Sequence, residues 1–303
     1  MFKRPPSLRR GDRVRLVAPS GVFDRERLLE GVDVLEALGL EVVFDEALFA
    51  RWRYLAGDDT HRQRELALAL ADDSARAIWT ARGGYGATRL LPGLSVDEVR
   101  RAGKWFVGFS DVTALHALCA RAGLMSLHGP NVTTLNTWSA EARGELFRWL
   151  MDPTARVMRG ATLVDGPLAS GPILGGNLTV LAAMVGTGCL PSFAGAIVLL
   201  EDIGERPYRL DRALTQLVQA GAFAGVRGFV IGQLTRCDEP GPDPGYEAAD
   251  VMIEVLRPLG VPVLGRVPIG HDVDSRAVLL GTTATIDPVD QSLVLAPPDA
   301  ARG

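Results

Sequence analysis

The stretch Trp105-Phe106-Val107-Gly108-Phe109-Ser110-Asp111 runs from an apolar strand straight into the head of a helix, whose Val112, Leu115, Leu118 and Cys119 share one face. Upstream, residues 14–18 read as a strand ending at Pro19-Ser20-Gly21; Asp24 then opens an amphipathic helix carrying Leu28, Leu29, Val32 and Leu35, closed by Gly39. Residues 41–44 and 75–80 read as further strands, and 60–70 and 141–150 as helices. Repeated β-α alternation predicts a parallel sheet covered by helices. In open sheets of this kind ligands bind beyond the carboxyl ends of the strands, so the loops after Ala18, Thr80 and Phe109 are the ones expected to carry function.

Between Met151 and Gly171 the pattern changes: Pro153, Gly160, Gly166 and Pro167 appear with little helical periodicity. This predicts a crossing between an N-terminal parallel-sheet, Rossmann-like domain over 1–160 and a β-rich α/β domain over 161–303. In the second half, helices are expected near 177–185, 209–220 and 246–256. They are interleaved with β-rich runs at 196–200, 228–231, 261–264, 278–280 and 292–295. Residues 241–245, GPDPG, read as a tight polar loop, and no internal repeat or coiled-coil heptad is found.

With 303 residues, 47% of them hydrophobic, the chain is long enough to bury the cores of two domains. Its 36 acidic and 32 basic residues give a net charge of −4, and the basic ones are scattered, so no nucleic-acid footprint is expected. The basic start MFKRPPSLRRGDRV has no apolar run behind it, and no later run approaches the ~18 apolar residues of a membrane span. The cytoplasm is the expected location. Cys119, Cys189 and Cys237 form no CxxC pair, and Cys119 falls at an apolar helical position, which predicts core rather than nucleophile.

Ser110 stands where a sharp strand-to-helix turn can expose a hydroxyl, with the free N–H groups of the helix start, including that of Asp111, aimed where an oxyanion would develop. The competing reading is an N-cap bonded to the Thr113 N–H, and the nucleophile-elbow pattern is incomplete because Val112 replaces its second glycine. A serine nucleophile needs a base, and there are four histidines. His61 reads as surface and His116 as packing; His128, in LHGPN, reads as either a site or a core residue. His271, in PIGHD, lies in a loop directly after a β-rich run. Among the carboxylates Glu201 stands out, since it ends the apolar run Ala196-Ile197-Val198-Leu199-Leu200, where an unpaired charge would be costly; a solvated strand end is the alternative.

Taken in order, WTARGGYGATRLLP, VGFSDVTALH, HGPN, GGNLTVLAAMVGT, LLEDIGERPYRLDRALTQL and VPIGHD resemble the muramoyltetrapeptide LD-carboxypeptidases and the related microcin C immunity peptidases, from about Gly11 to Ile286. The resemblance implies a Ser-His-Glu triad with Ser110 as nucleophile, Glu201 as the residue orienting the base and His271 as the base. It also implies an oxyanion hole formed by the backbone N–H groups of Asp111 and Gly84, an active site at the interface of the two domains, and a homodimer. The implied reaction is release of terminal D-alanine from a murein tetrapeptide, with a small muropeptide as substrate and no cofactor. After His271 the chain reads DVDSRAVLLG, where members of the family commonly carry an Asn and a Pro-containing turn, so the loop is expected to have its own shape.

Three other readings compete. The same triad could cleave peptidyl-nucleotide conjugates, as the immunity peptidases do. The loop Arg82-Gly83-Gly84-Tyr85-Gly86 could cradle a nucleotide phosphate, although it matches neither G-x-G-x-x-G nor the P-loop pattern. His271 with Asp272 and Asp274 is a poor metal set and there is no H-E-x-x-H, so no metal is expected and chelation should leave activity intact.

Overall fold

A computed structural model describes residues 2–238 and 246–297. The GPDPG loop expected at 241–245 lies outside them. The described chain forms two compact units, one of residues 2–153 with 277–279, the other of 154–238, 246–276 and 280–297. The chain thus leaves the first unit after residue 153 and returns to it for three residues.

The first unit holds strands β1 (Arg13–Val17), β2 (Glu41–Val43), β3 (Ala75–Thr80), β4 (Trp105–Gly108) and β5 (Ser126–His128), in the spatial order β2-β1-β3-β4-β5 and all parallel. Parallel order follows from the helices between them: each strand ends, a helix packs back across the sheet, and the next strand starts at the same edge. β4 is buried at all four positions and β3 at five of six, as expected of central strands covered on both faces. The helix Arg25–Ala37 starts where the sequence reading places it, with Asp24 accepting from the Arg27 N–H.

The second unit contains β6 (Arg156–Arg159), β7 (Ala161–Val164), β8 (Ala169–Asn177), β9 (Ile197–Ile203), β10 (Gly228–Thr235) and β11 (Val263–Gly265). After them come β12 (Val278–Leu280), β13 (Thr283–Asp287) and β14 (Ser292–Leu295). The sheet order is β6-β14-β13-β8-β9-β10-β11-β7, with β8 to β11 parallel and the flanking strands antiparallel. β12 instead joins the first sheet beside β5. The α/β class with a β-rich second half agrees with the sequence reading. The segment that reads as the crossing between domains is β6, β7 and the start of β8: its glycines and prolines mask short strands that pair with distant partners.

One correction bears on function. β9 does not stop at Leu200; it continues through Glu201 and Asp202 to Ile203, and both carboxylates are buried within it. Charged side chains inside a buried strand require partners, and their partners define the candidate site.

Candidate active site

In the first unit, three loops leave the carboxyl ends of β1, β3 and β4. The β4 loop carries Ser110, which has φ +66°. A β-carbon disfavours that left-handed conformation, and holding a non-glycine residue there costs on the order of 1–3 kcal/mol, a strain that clusters at functional sites. A single turn of 3-10 helix, Ser110–Val112, precedes the α-helix Thr113–Arg121, and no side chain caps either. The N-cap reading of Ser110 is therefore wrong: the serine is inside the turn, and its half-buried side chain does not serve the helix start.

The loop after β3 packs directly on this turn. A β-carbon on Gly83 would stand 3.0 Å from Ser110 Cβ and 3.2 Å from Ser110 Oγ, so only glycine lets the two loops approach this closely. The Gly83 carbonyl accepts from the Gly21 N–H at 3.1 Å. Because the peptide is trans, the Gly84 N–H points away from Gly21. Neither that N–H nor the Asp111 N–H has an acceptor among the described residues. These are the two backbone donors that the sequence resemblance singles out.

In the second unit, Glu201 is wholly buried and its Oε2 lies 2.7 Å from Nδ1 of His271, whose side chain is 10% exposed. With the carboxylate as acceptor, Nδ1 carries the proton and Nε2 is the ring's basic nitrogen. The loop bearing His271 is held by Gln233 of β10. Gln233 Oε1 accepts from the Asp272 N–H (2.9 Å) and from Ser275 Oγ; its Nε2 donates to Asp274 Oδ1 (3.0 Å), and its backbone N–H donates to the Ile269 carbonyl (2.8 Å). Gly232 permits the approach, since a β-carbon there would lie 2.2 Å from the Ile269 oxygen and 3.2 Å from Glu201 Cβ.

Asp202, next to Glu201, accepts from Asn177 Nδ2, from the N–H and hydroxyl of Thr179, and from the Ile203 N–H. Burial, and then the neighbouring Glu201, push its carboxyl above the usual range, and these hydrogen bonds oppose the shift.

His116 is buried, with Nε2 donating to the Gly108 carbonyl and Nδ1 accepting from Ser126 Oγ, both at 2.8 Å; burial lowers its pKa to about 3. It is a neutral packing residue. His128 is also buried, its ring 6.1 Å from that of Phe109. His61 binds the Ala47 carbonyl at 3.0 Å. Cys119 is core, and burial raises its thiol. No group of three or more metal-ligating side chains occurs among the described residues, and no helix among them is long and apolar enough to cross a membrane. The sequence reading missed Ser20 and Gln233: Gln233 lies past the apolar run of its strand, and Ser20 lies in a loop already marked for function but with no chemistry of its own.

Comparison with known proteins follows the same division. The LD-carboxypeptidase N-terminal domain matches residues 14–129, and the LD-carboxypeptidase C-terminal domain matches residues 170–286. Ser110 lies in the first range, Glu201 and His271 in the second. The murein tetrapeptide carboxypeptidase of Pseudomonas aeruginosa is 33% identical over 288 residues, spanning 91% of this chain and 93% of that one. The crystal structure of the muramoyltetrapeptide carboxypeptidase from Oxalobacter formigenes matches with a TM-score of 0.85 at 28% identity, over 94% of this chain and 98% of that one. An MccF-like protein from Bacillus anthracis shares the fold, with a TM-score of 0.87 at 24% identity over 97% and 99% of the two chains.

Proposed function

The chain belongs to the LD-carboxypeptidase family of serine peptidases, and on that premise we propose that it releases terminal D-alanine from murein tetrapeptides through an acyl-enzyme on Ser110, with His271 as base and Glu201 as the group that orients it. The observation that carries this reading is the 2.7 Å bond between the buried Glu201 carboxylate and His271 Nδ1, which leaves Nε2 as the proton acceptor.

In this mechanism His271 Nε2 takes the Ser110 hydroxyl proton as Oγ attacks the carbonyl carbon of the amide joining the L-centre of the diamino acid to D-alanine. The Asp111 and Gly84 N–H groups hold the oxyanion that forms. Collapse of the tetrahedral species breaks the C–N bond, and the imidazolium returns its proton to the departing amine. Water, deprotonated by the same nitrogen, then attacks the ester and frees Ser110. Glu201 stabilises the imidazolium in both halves without itself taking the proton. An enzyme of this kind in the cytoplasm serves the recycling of muropeptides.

Release of D-alanine from a murein tetrapeptide by the unaltered chain and by Ser110→Ala, both verified as folded by circular dichroism, tests the proposal. Release by the unaltered chain alone is expected. Equal release by both removes Ser110 from the mechanism, and cleavage of an aminoacyl sulfamoyl nucleoside in place of the tetrapeptide moves the same triad to a different substrate class.

A further inference from the structure

The mechanism uses the backbone of Asp111 and leaves its side chain without a role. That side chain is only 2% exposed, and one of its oxygens, Oδ2, accepts from Ser20 Oγ at 2.6 Å and from the Ala87 N–H at 2.8 Å. The two donors belong to different loops. Ser20, fully buried, lies in the loop after β1, and Ala87 ends the glycine loop after β3, three residues beyond Gly84. Asp111 itself lies in the turn after β4. A single carboxylate oxygen therefore joins all three loops at the carboxyl edge of the first sheet.

We propose that the Asp111 carboxylate is a positioning residue of the oxyanion hole, fixing the Gly84 N–H relative to the Asp111 N–H through its bonds to Ala87 and Ser20. The inference rests on Ser110 being the nucleophile. It goes further by giving the hole a dedicated support.

First, the carboxylate is an expensive way to fill this space: burial pushes its carboxyl upward, opposed first by the Ser20 hydroxyl, then by the Ala87 N–H and by the charge of Arg62. Its return is direction, since hydrogen bonds fix angles that apolar packing leaves loose. Second, the donors are anchored from behind. Arg62, 1% exposed, donates to the carbonyl of Pro19, next to Ser20, and pairs with Asp59. Asp59 in turn pairs with Arg89, two residues past Ala87. Third, the tolerance is small. An oxyanion donor is effective only within about 2.7–3.1 Å of the oxygen. A β-carbon on Gly83 would lie only 3.0 Å from Ser110 Cβ, so the glycine loop has little room to move toward the serine.

The test compares Ser20→Ala, Asp111→Asn and Asp111→Ala with the unaltered chain, using tetrapeptide hydrolysis and the rate at which a fluorophosphonate labels Ser110. The phosphonate reaction also develops charge on an oxygen that the hole must hold, so it reads the hole without reading peptide binding. Ser20→Ala is expected to lower kcat about 10-fold and labelling in parallel, with KM within about 2-fold; Asp111→Ala should lose about 100-fold, the scale of one oxyanion donor. Asp111→Asn, which keeps an acceptor oxygen in place, should recover most of that loss. Should Asp111→Ala fail to fold, Ser20→Ala and Asp111→Asn decide the matter between them.

A folded Ser20→Ala with unchanged kcat and labelling overturns the inference, as does a loss carried by KM alone. Ser110→Ala run alongside separates the two levels: retained hydrolysis there refutes the nucleophile, whereas an inactive Ser110→Ala beside an unaffected Ser20→Ala refutes only the support.

Discussion

Glu201 Oε2 and His271 Nδ1 stand 2.7 Å apart, and the carboxylate in this pair is wholly buried while the ring keeps a tenth of its surface. The proton between them therefore has one available home on the ring, and the tautomer is set. Glu201→Gln preserves the shape and removes the charge that, in the proposed mechanism, stabilises an imidazolium. The expected outcome is a fall in kcat of about 10³- to 10⁴-fold with little change in KM, as when a triad carboxylate becomes an amide. Steady-state kinetics with a circular dichroism control check it; a loss under 10-fold would show that Glu201 holds the ring without aiding the chemistry.

In the proposed mechanism Ser110 sets stability against activity. At φ +66° glycine is at ease and alanine is strained, so Ser110→Gly is expected to be more stable than Ser110→Ala by about 1 kcal/mol and to melt at higher temperature, with both inactive. Thermal melts of the two variants measure the difference. If alanine proves the more stable, the strain does not exist in solution.

Gln233 reaches the loop of His271 through four hydrogen bonds, to Ile269, Asp272, Asp274 and Ser275. Gln233→Ala is predicted to leave the fold intact, since β10 keeps its neighbours, and to lower kcat about 10-fold by freeing residues 269–275. Gly232→Ala should be harsher: its new methyl would press on the Ile269 carbonyl, at a cost of about 1–3 kcal/mol in urea unfolding. An unchanged melt for Gly232→Ala would mean that the strand shifts freely.

His116 makes stability depend on pH with a definite sign. Its folded pKa, about 3, lies below its ordinary value of 6.5 because the ring is buried and then because it lies beside His128, while its bond to the Gly108 carbonyl opposes the shift. Below about pH 6.5 the unfolded chain takes up a proton that the folded chain refuses, so stability is present above that value and is lost as pH falls toward 3. Urea melts across this range should show a slope shallower in His116→Gln by up to about 1.4 kcal/mol per pH unit. Identical slopes would mean that the ring gains its proton in place.

Most of the first unit is legible in the sequence because its strands are short β-rich runs that alternate with helices of visible start, as at Asp24. Glu201 and His271 are legible as neighbours only by resemblance, because a separation of 70 positions leaves nothing periodic to connect them. β6, β7, β8 and β13 are not legible: β6 sets two apolar residues between arginines, β8 is interrupted by Gly171, Pro172, Gly175 and Gly176, and β7 and β13 are short and threonine-bearing. Their pairing is decided by partners far along the chain. Ser20 and Gln233 escape for a related reason. A polar side chain that acts on other polar groups announces itself only once the groups it serves are assembled.

The brief return of the chain at residues 277–279 bears on how this protein can be divided and inherited. β12 covers the edge of β5, and the Ala277 carbonyl accepts from Trp149 Nε1 at 3.3 Å. A fragment ending at residue 160 would carry Ser110 but would expose the β5 edge as a template for neighbouring molecules. The two halves are thus not interchangeable modules: recombination that swaps the second must bring a matching β12 with it, and a gene split at the obvious junction should yield an aggregating first half that is rescued by supplying the second.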